Sequence, residues 1–161
     1  MWWTRSNAKD MQPIPWLGPN VTARLDALLN KSMTVLEFGS GGSSLWMAAR
    51  VKSVTSVENN PEWRDAVKRS APDNVVLLTE IPAGKFDIIL IDGEPVEQRA
   101  DWLKFALDKI TPGGVIVLDN ANRPEYAAER DAMMRARQYV TIDENQPGTR
   151  YLVTDFYTVA L

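Results

Sequence analysis

Apolar positions along the chain change their period repeatedly, and each change marks an element. Val21, Leu25, Leu28 and Leu29 recur at helical spacing behind Asn20, which predicts a helix capped by Asn20. Thr34-Val35-Leu36-Glu37-Phe38 is a short, mostly apolar run halted by Gly39, the mark of a buried strand. Residues 44–50 return to helical spacing, and residues 54–58 read as a second strand. Pro61 suits the first turn of the next helix, where Trp63, Ala66 and Val67 share a face. Further strands are predicted at 75–79, 86–92 and 114–119. Ala100, Leu103, Ala106, Leu107 and Ile110 form a helical stripe between the last two.

Near-continuous apolar strands alternating with amphipathic helices predict an α/β fold, a mostly parallel sheet covered on both faces. The end of the chain breaks the rhythm. A helix over 124–137 leads to a strand at 139–143 and then, through the turn-like Glu144-Asn145-Gln146-Pro147-Gly148, to a strand at 156–161. With no helix between them, these two strands should pair antiparallel, giving seven in all. Residues 1–19 read as an irregular arm. They carry Trp2, Trp3 and Trp16 among Pro13, Pro15 and Pro19, a mixture that favours an extended, docked segment over a helix. Two uses are open for those aromatics, lining a substrate pocket or covering the core. With no repeat or linker, residues 1–161 are expected to form a single domain with this arm as a cap.

Composition removes whole classes of chemistry. With no Cys and no His, there is no thiolate nucleophile, no Ser-His-Asp triad and no Cys/His zinc site. Acid-base or metal chemistry falls to Asp, Glu, Lys, Tyr or the backbone. A net charge of −3 argues against a nucleic-acid partner. No apolar run nears the roughly 18 residues of a membrane span, so no membrane partner and a cytoplasmic location are expected. Apolar residues in the arm suggest a homodimer contact.

The most informative stretch is Val35-Leu36-Glu37-Phe38-Gly39-Ser40-Gly41-Gly42-Ser43-Ser44, a strand running through glycines into a helix. Backbone can approach a ligand closely there, and N–H groups point outward. The next strand ends in Glu58-Asn59, where an acid can accept both ribose hydroxyls of an adenosine ligand. A dinucleotide loop usually reads Gly-x-Gly-x-x-Gly, but the sixth position here is Ser44. S-adenosylmethionine has no phosphate to cradle. Glu37, two residues before the first glycine, suits an ammonium and a sulfonium.

Residues from about 20 onward resemble the class I S-adenosylmethionine-dependent methyltransferases. The likeness rests on Glu37-x-Gly39-x-Gly41, Glu58, the run from Phe86 to Asp92-Gly93, and Ile110-Thr111-Pro112-Gly113-Gly114 leading to Asp119-Asn120. It implies a three-layer α-β-α sandwich with strand order 3-2-1-4-5-7-6, strand seven antiparallel. It further implies that Gly39, Ser40 and Gly41 contact the methionine part of the cofactor with Glu37 and Ser43 or Ser44. Glu58 would hold the ribose beside Asn59, Thr79 and Glu80 would lie near adenine, and Asp92 near the reactive methyl group.

If strands four and five are neighbours, Asp92, Asp119 and Asn120 offer oxygen ligands that suit magnesium or calcium. The same trio resembles the metal ligands of catechol O-methyltransferase and related enzymes, which implies a metal-assisted, catalytic role in O-methyl transfer to a small-molecule substrate. Arg99 is expected at the surface, paired with Glu97 or Asp101, or else steering an anionic substrate. Two rival functions stay open, an NAD(P)-dependent oxidoreductase and a non-catalytic cofactor-binding module.

Overall fold

The computed structural model describes residues 11–144 and 152–160. Seven strands form one sheet: β1 (Thr34–Phe38), β2 (Ser53–Val57), β3 (Val75–Leu78), β4 (Phe86–Ile91), β5 (Ile110–Leu118), β6 (Gln138–Glu144) and β7 (Leu152–Thr158). Their order in space is β3-β2-β1-β4-β5-β7-β6. The first five strands run parallel, and β7 is antiparallel to both of its neighbours. Five helices flank the sheet: α1 (Pro19–Leu28), α2 (Gly42–Ala48), α3 (Pro61–Ser70), α4 (Arg99–Lys109) and α5 (Ala127–Ala136).

Strand periodicity explains the layering, because successive side chains in a strand point to opposite faces. Leu36 and Phe38 of β1 join Ile89 and Ile91 of β4 in a core that also takes Trp102 and Leu103 from α4 and Met133 from α5. Val35, Ile88 and Leu90 face the other way, onto Val21 and Leu25 of α1 and Met47 of α2. Being covered on both sides makes β1 and β4 almost wholly apolar. The strand order reverses between β1 and β4, which opens a crevice at their carboxyl ends, where open α/β sheets gather ligands.

The structure moves several expected boundaries. Helix α1 starts at Pro19 with Gly18 as its N-cap, so Asn20 lies inside the first turn. Its backbone N–H donates at 2.5 Å to Glu144 Oε1, a buried carboxylate from the far end of the chain that meets the positive end of the helix. The stretch from Pro124 opens with a tight turn over Pro124–Tyr126 before α5 begins at Ala127. Ile110 leaves the α4 stripe to begin β5, and Leu107 is exposed. The last strand begins at Leu152, four residues before the apolar run suggests, because Thr154 and Asp155 are buried polar members of it.

Asp155 is fully enclosed and satisfied by Arg130 Nε at 2.6 Å, Thr141 Oγ1 at 2.6 Å and Tyr157 Oη at 2.7 Å. The predicted turn over 144–148 lies mostly outside the described residues, as do Trp2 and Trp3. Trp16 is 68% exposed and does not serve as core cover.

Candidate active site at the carboxyl edge

Where β1 ends, the chain turns sharply. Gly39 has φ +91°, and a Cβ there would stand 2.6 Å from the Cα of Gly93, just after β4. Gly39 N–H donates to Val57 O at 2.9 Å and Asp92 N–H to Phe38 O at 3.1 Å, so the turn is held between β2 and β4. Ser40 and Gly41 then lead into α2. The carbonyls of Gln12 and Ile14 pack against Gly42 so closely that a Cβ there would lie 2.8 and 2.2 Å from them. The segment before α1 therefore crosses the first residue of α2.

Beneath this loop lies Glu37, entirely buried. Ser43 and Ser44 hydroxyls donate to its two oxygens, and Ser56 Oγ stands 3.0 Å from Oε2. Ser44 Oγ also accepts from Gly41 N–H at 3.0 Å, tying the carboxyl to the loop backbone. Burial pushes the Glu37 carboxyl up to about 7; the serine hydrogen bonds pull the other way without cancelling it.

Glu58, half-buried just past β2, folds back across the loop. Its Oε2 accepts from Ser40 N–H at 3.1 Å and from Ser40 Oγ at 3.2 Å, and its Oε1 from Asn60 N–H at 2.8 Å. Asn60 Oδ1 caps α3 by accepting from Trp63 N–H at 3.1 Å, while Trp63 Nε1 donates to Ser40 O at 2.6 Å. Asn59 is exposed beside Glu58. Thr79 and Glu80, exposed after β3, stand at the same edge but outside this hydrogen-bonded cluster.

On the other side of the crevice, β4 and β5 deliver Asp92, Asp119 and Asn120 together. The Asp92 carboxyl is 28% exposed. It is pushed well above the usual carboxylate range by its enclosure and by the adjacent Asp119, against the pull of Arg99. Asp119 is buried, and its Oδ1 accepts from Thr154 Oγ1 at 2.7 Å. Asn120 adopts φ +51°, a left-handed turn that Asn tolerates, and its carbonyl accepts from Tyr126 Oη at 2.6 Å.

Arg99 corrects the surface expectation. It is 1% exposed and pairs with neither Glu97 nor Asp101. Its Nε donates to Gly93 O at 2.9 Å, Nη1 to Asp119 O at 2.7 Å and Nη2 to Asp92 O at 2.7 Å, with Asn120 Oδ1 at 3.5 Å and Asp92 Oδ1 at 3.4 Å.

A divalent cation does not fit this set. A fixed guanidinium already faces Asp92 Oδ1 and Asn120 Oδ1, and a second positive charge among the same oxygens would meet it directly. Among the described residues no group of three or more carboxylates could hold a metal. The expectation of magnesium on Asp92, Asp119 and Asn120 therefore finds no support in this arrangement.

The sheet order with its reversed β7, and a glycine turn backed by one acid and faced by another, define a class I, Rossmann-like S-adenosylmethionine-dependent methyltransferase. The chain belongs to the methyltransferase-domain family, whose model matches residues 36–121, from β1 to the turn after β5. That membership sets aside the nicotinamide oxidoreductase and the non-catalytic module.

Among solved structures, the chain is similar to an O-methyltransferase from Bacillus cereus in complex with S-adenosylhomocysteine, at 18% identity over 89% of this chain and 82% of that one, with a TM-score of 0.72. A tRNA methyltransferase from Aquifex aeolicus matches at 14% identity over 94% and 73%, TM-score 0.70. An rRNA methylase from Streptococcus thermophilus matches at 13% over 91% and 99%, TM-score 0.67. These likenesses share the fold across different acceptors, so the fold does not choose one. No curated protein sequence matches the chain. Among the described residues, no helix is long and apolar enough to cross a membrane.

Sequence reasoning missed Gly93, Ser56, Trp63 and Thr154 as parts of this edge, and placed Arg99 there only as a group that steers an anionic substrate. Gly93 and Ser56 lie within or beside the strand-end motifs, whereas Thr154 left no local signal because Asp119 is distant in sequence, and Arg99 because it bonds mostly to main-chain carbonyls.

Proposed function

We propose that this enzyme transfers the methyl group of S-adenosylmethionine to the oxygen of a small-molecule acceptor, without a metal ion. The single observation that carries the choice of acceptor is the sign of the edge. Its loops present the exposed or half-buried carboxylates Glu58, Glu80 and Glu94 against the half-buried Arg64 and Arg123, a rim with no excess of positive charge to hold a phosphate backbone, while the buried Arg99 has its donors engaged.

In this reading Gly39, Ser40 and Gly41 hold the methionine part with Ser43 and Ser44. Glu37 backs the loop, Glu58 and Asn59 take the ribose, and Thr79 and Glu80 flank adenine. Asp92 stands beside the reacting methyl. The acceptor oxygen attacks in line with the carbon–sulfur bond; the O–CH3 bond forms as the S–CH3 bond breaks, and Asp92 takes the hydroxyl proton. Holding the two reactants collinear supplies most of the acceleration. Asp119 and Asn120 position Asp92. Residues 1–161 act as a single cytoplasmic domain capped by the arm, and the exposed Ile14 and Trp16 of the arm offer a contact to a second copy.

Two measurements test this. Methyl-labelled S-adenosylmethionine is offered with a panel of phenols and hydroxy acids and, separately, with unmodified tRNA. Transfer to a hydroxyl compound in the presence of a chelator is expected, and label only in the tRNA would overturn the reading. In calorimetry, Glu58→Gln is expected to weaken S-adenosylhomocysteine by about tenfold to thirtyfold, the worth of a charge-assisted hydrogen bond of about 1.5–2 kcal/mol. An unchanged affinity would remove Glu58 from the ribose site.

A further inference from the structure

We infer that Arg99 is the built-in cation of the acceptor side, standing in the oxygen shell of Asp92, Gly93, Asp119 and Asn120 where a hard metal ion would otherwise bind. The inference rests on the methyltransferase reading only for what the edge is used for; the geometry is independent of it.

The shell is made of five oxygens between 2.7 and 3.5 Å from the guanidinium nitrogens. Three are backbone carbonyls and two are side-chain oxygens, which is the donor chemistry a hard divalent cation selects. Here the shell is filled by a planar fork that satisfies in-plane acceptors from several directions at once. The fork bridges the ends of β4 and β5, so the same side chain that supplies the charge also fixes the two loops between which an acceptor must sit. Its side chain is almost wholly enclosed, and with its donors taken it has none to offer a substrate. Arg99 is therefore a positioning residue for Asp92, Asp119 and Asn120, and it makes the site independent of metal.

The sequence position explains how the substitution of ion by side chain is possible. Arg99 opens α4 directly after a short turn over Val96–Gln98. The helix start aims its long side chain back at the strand ends it has just left. A lysine would deliver one compact charge there and could not span the same carbonyls.

The test uses manganese(II) as probe, followed by electron paramagnetic resonance, with S-adenosylhomocysteine present. In the wild-type protein the ion is expected to remain free. Stoichiometric uptake that disappears in Asp92→Asn would overturn the inference. Arg99→Met removes the charge at nearly constant volume and is expected to take up a stoichiometric manganese ion, lost again when Asp92→Asn is added. A folded Arg99→Met that leaves manganese free would also overturn it.

Should Arg99→Met fail to fold, the wild-type titration decides alone. Arg99→Lys, which keeps the charge, is expected to go on excluding manganese, and stoichiometric uptake by it would count against the inference. Calorimetry with S-adenosylhomocysteine on the same samples separates the two readings. A protein that binds no nucleoside yet excludes manganese only while residue 99 is cationic would sink the cofactor reading and sustain this one.

Discussion

Gly39→Ala is expected to lose about 4 kcal/mol of folding stability, against about 1–2 kcal/mol for Gly84→Ala, because a left-handed alanine costs about 1–2 kcal/mol and overpacking adds about 1–3 kcal/mol more. Both glycines have positive φ, +91° and +98°, so both substitutions strain the backbone. They differ in what the new methyl meets. At residue 84 nothing lies within 4 Å, whereas at residue 39 the Cβ falls 2.6 Å from Gly93 Cα and 2.9 Å from Gly93 N. Those are backbone atoms at the end of a central strand, which cannot swing aside like the tip of a side chain. Urea unfolding of the two variants measures the difference. Equal losses would show that the β1 and β4 turns do not press on one another.

Glu37 governs the second large effect, and its sign follows from linkage. A carboxyl near 4.5 when unfolded and about 7 when folded holds its proton longer in the native state. Between those two values the native protein binds more protons, so stability falls as pH rises through that window and levels off above it. The full drop is about 3 kcal/mol, since each pH unit across the window removes about 1.4 kcal/mol.

Glu37→Gln is therefore expected to be more stable than wild type at pH 8 by about that amount and to lose the advantage near pH 5. Stability curves that stay parallel across the range would sink the assignment. Near neutral pH the carboxyl is about half protonated, and a bound ligand carrying ammonium and sulfonium charge would favour its ionised form. Calorimetry of S-adenosylmethionine in buffers of different ionisation enthalpy is expected to show a fraction of a proton released at pH 7 in wild type and a smaller fraction in Glu37→Gln, where only Asp92 is left to release one.

How far the chain could be read in advance depended on where each residue's partners lie. β1 and β4 were legible to within a residue because they are buried on both faces and announce themselves as apolar runs. The glycine turn and Glu58 were legible because a strand, a turn and an acid follow in close succession.

The apolar pattern starts β7 four residues late. Thr154 and Asp155 look like loop residues until Asp119, Arg130 and Thr141 are brought against them, and nothing local predicts that meeting. Arg99 misled for a related reason. Its neighbours in sequence, Glu97 and Asp101, offered a surface pair, while its true partners are mostly main-chain carbonyls, which leave no trace in side-chain identity. Asn20 looked like a cap, but the carboxylate serving that helix end is Glu144, more than a hundred residues away.

The press of Gly39 on Gly93 bears on how the two halves of the crevice communicate. On the function proposed above, the Gly39 turn holds the methionine part of the cofactor and the Gly93 turn borders the acceptor; with no room for even a methyl group between them, a shift of one is expected to move the other. Whatever free energy occupancy of one half adds to or takes from the other is then shared reciprocally. An acceptor that tightens the nucleoside is itself tightened by the same factor, and ordered loading of the two would emerge from backbone contact alone.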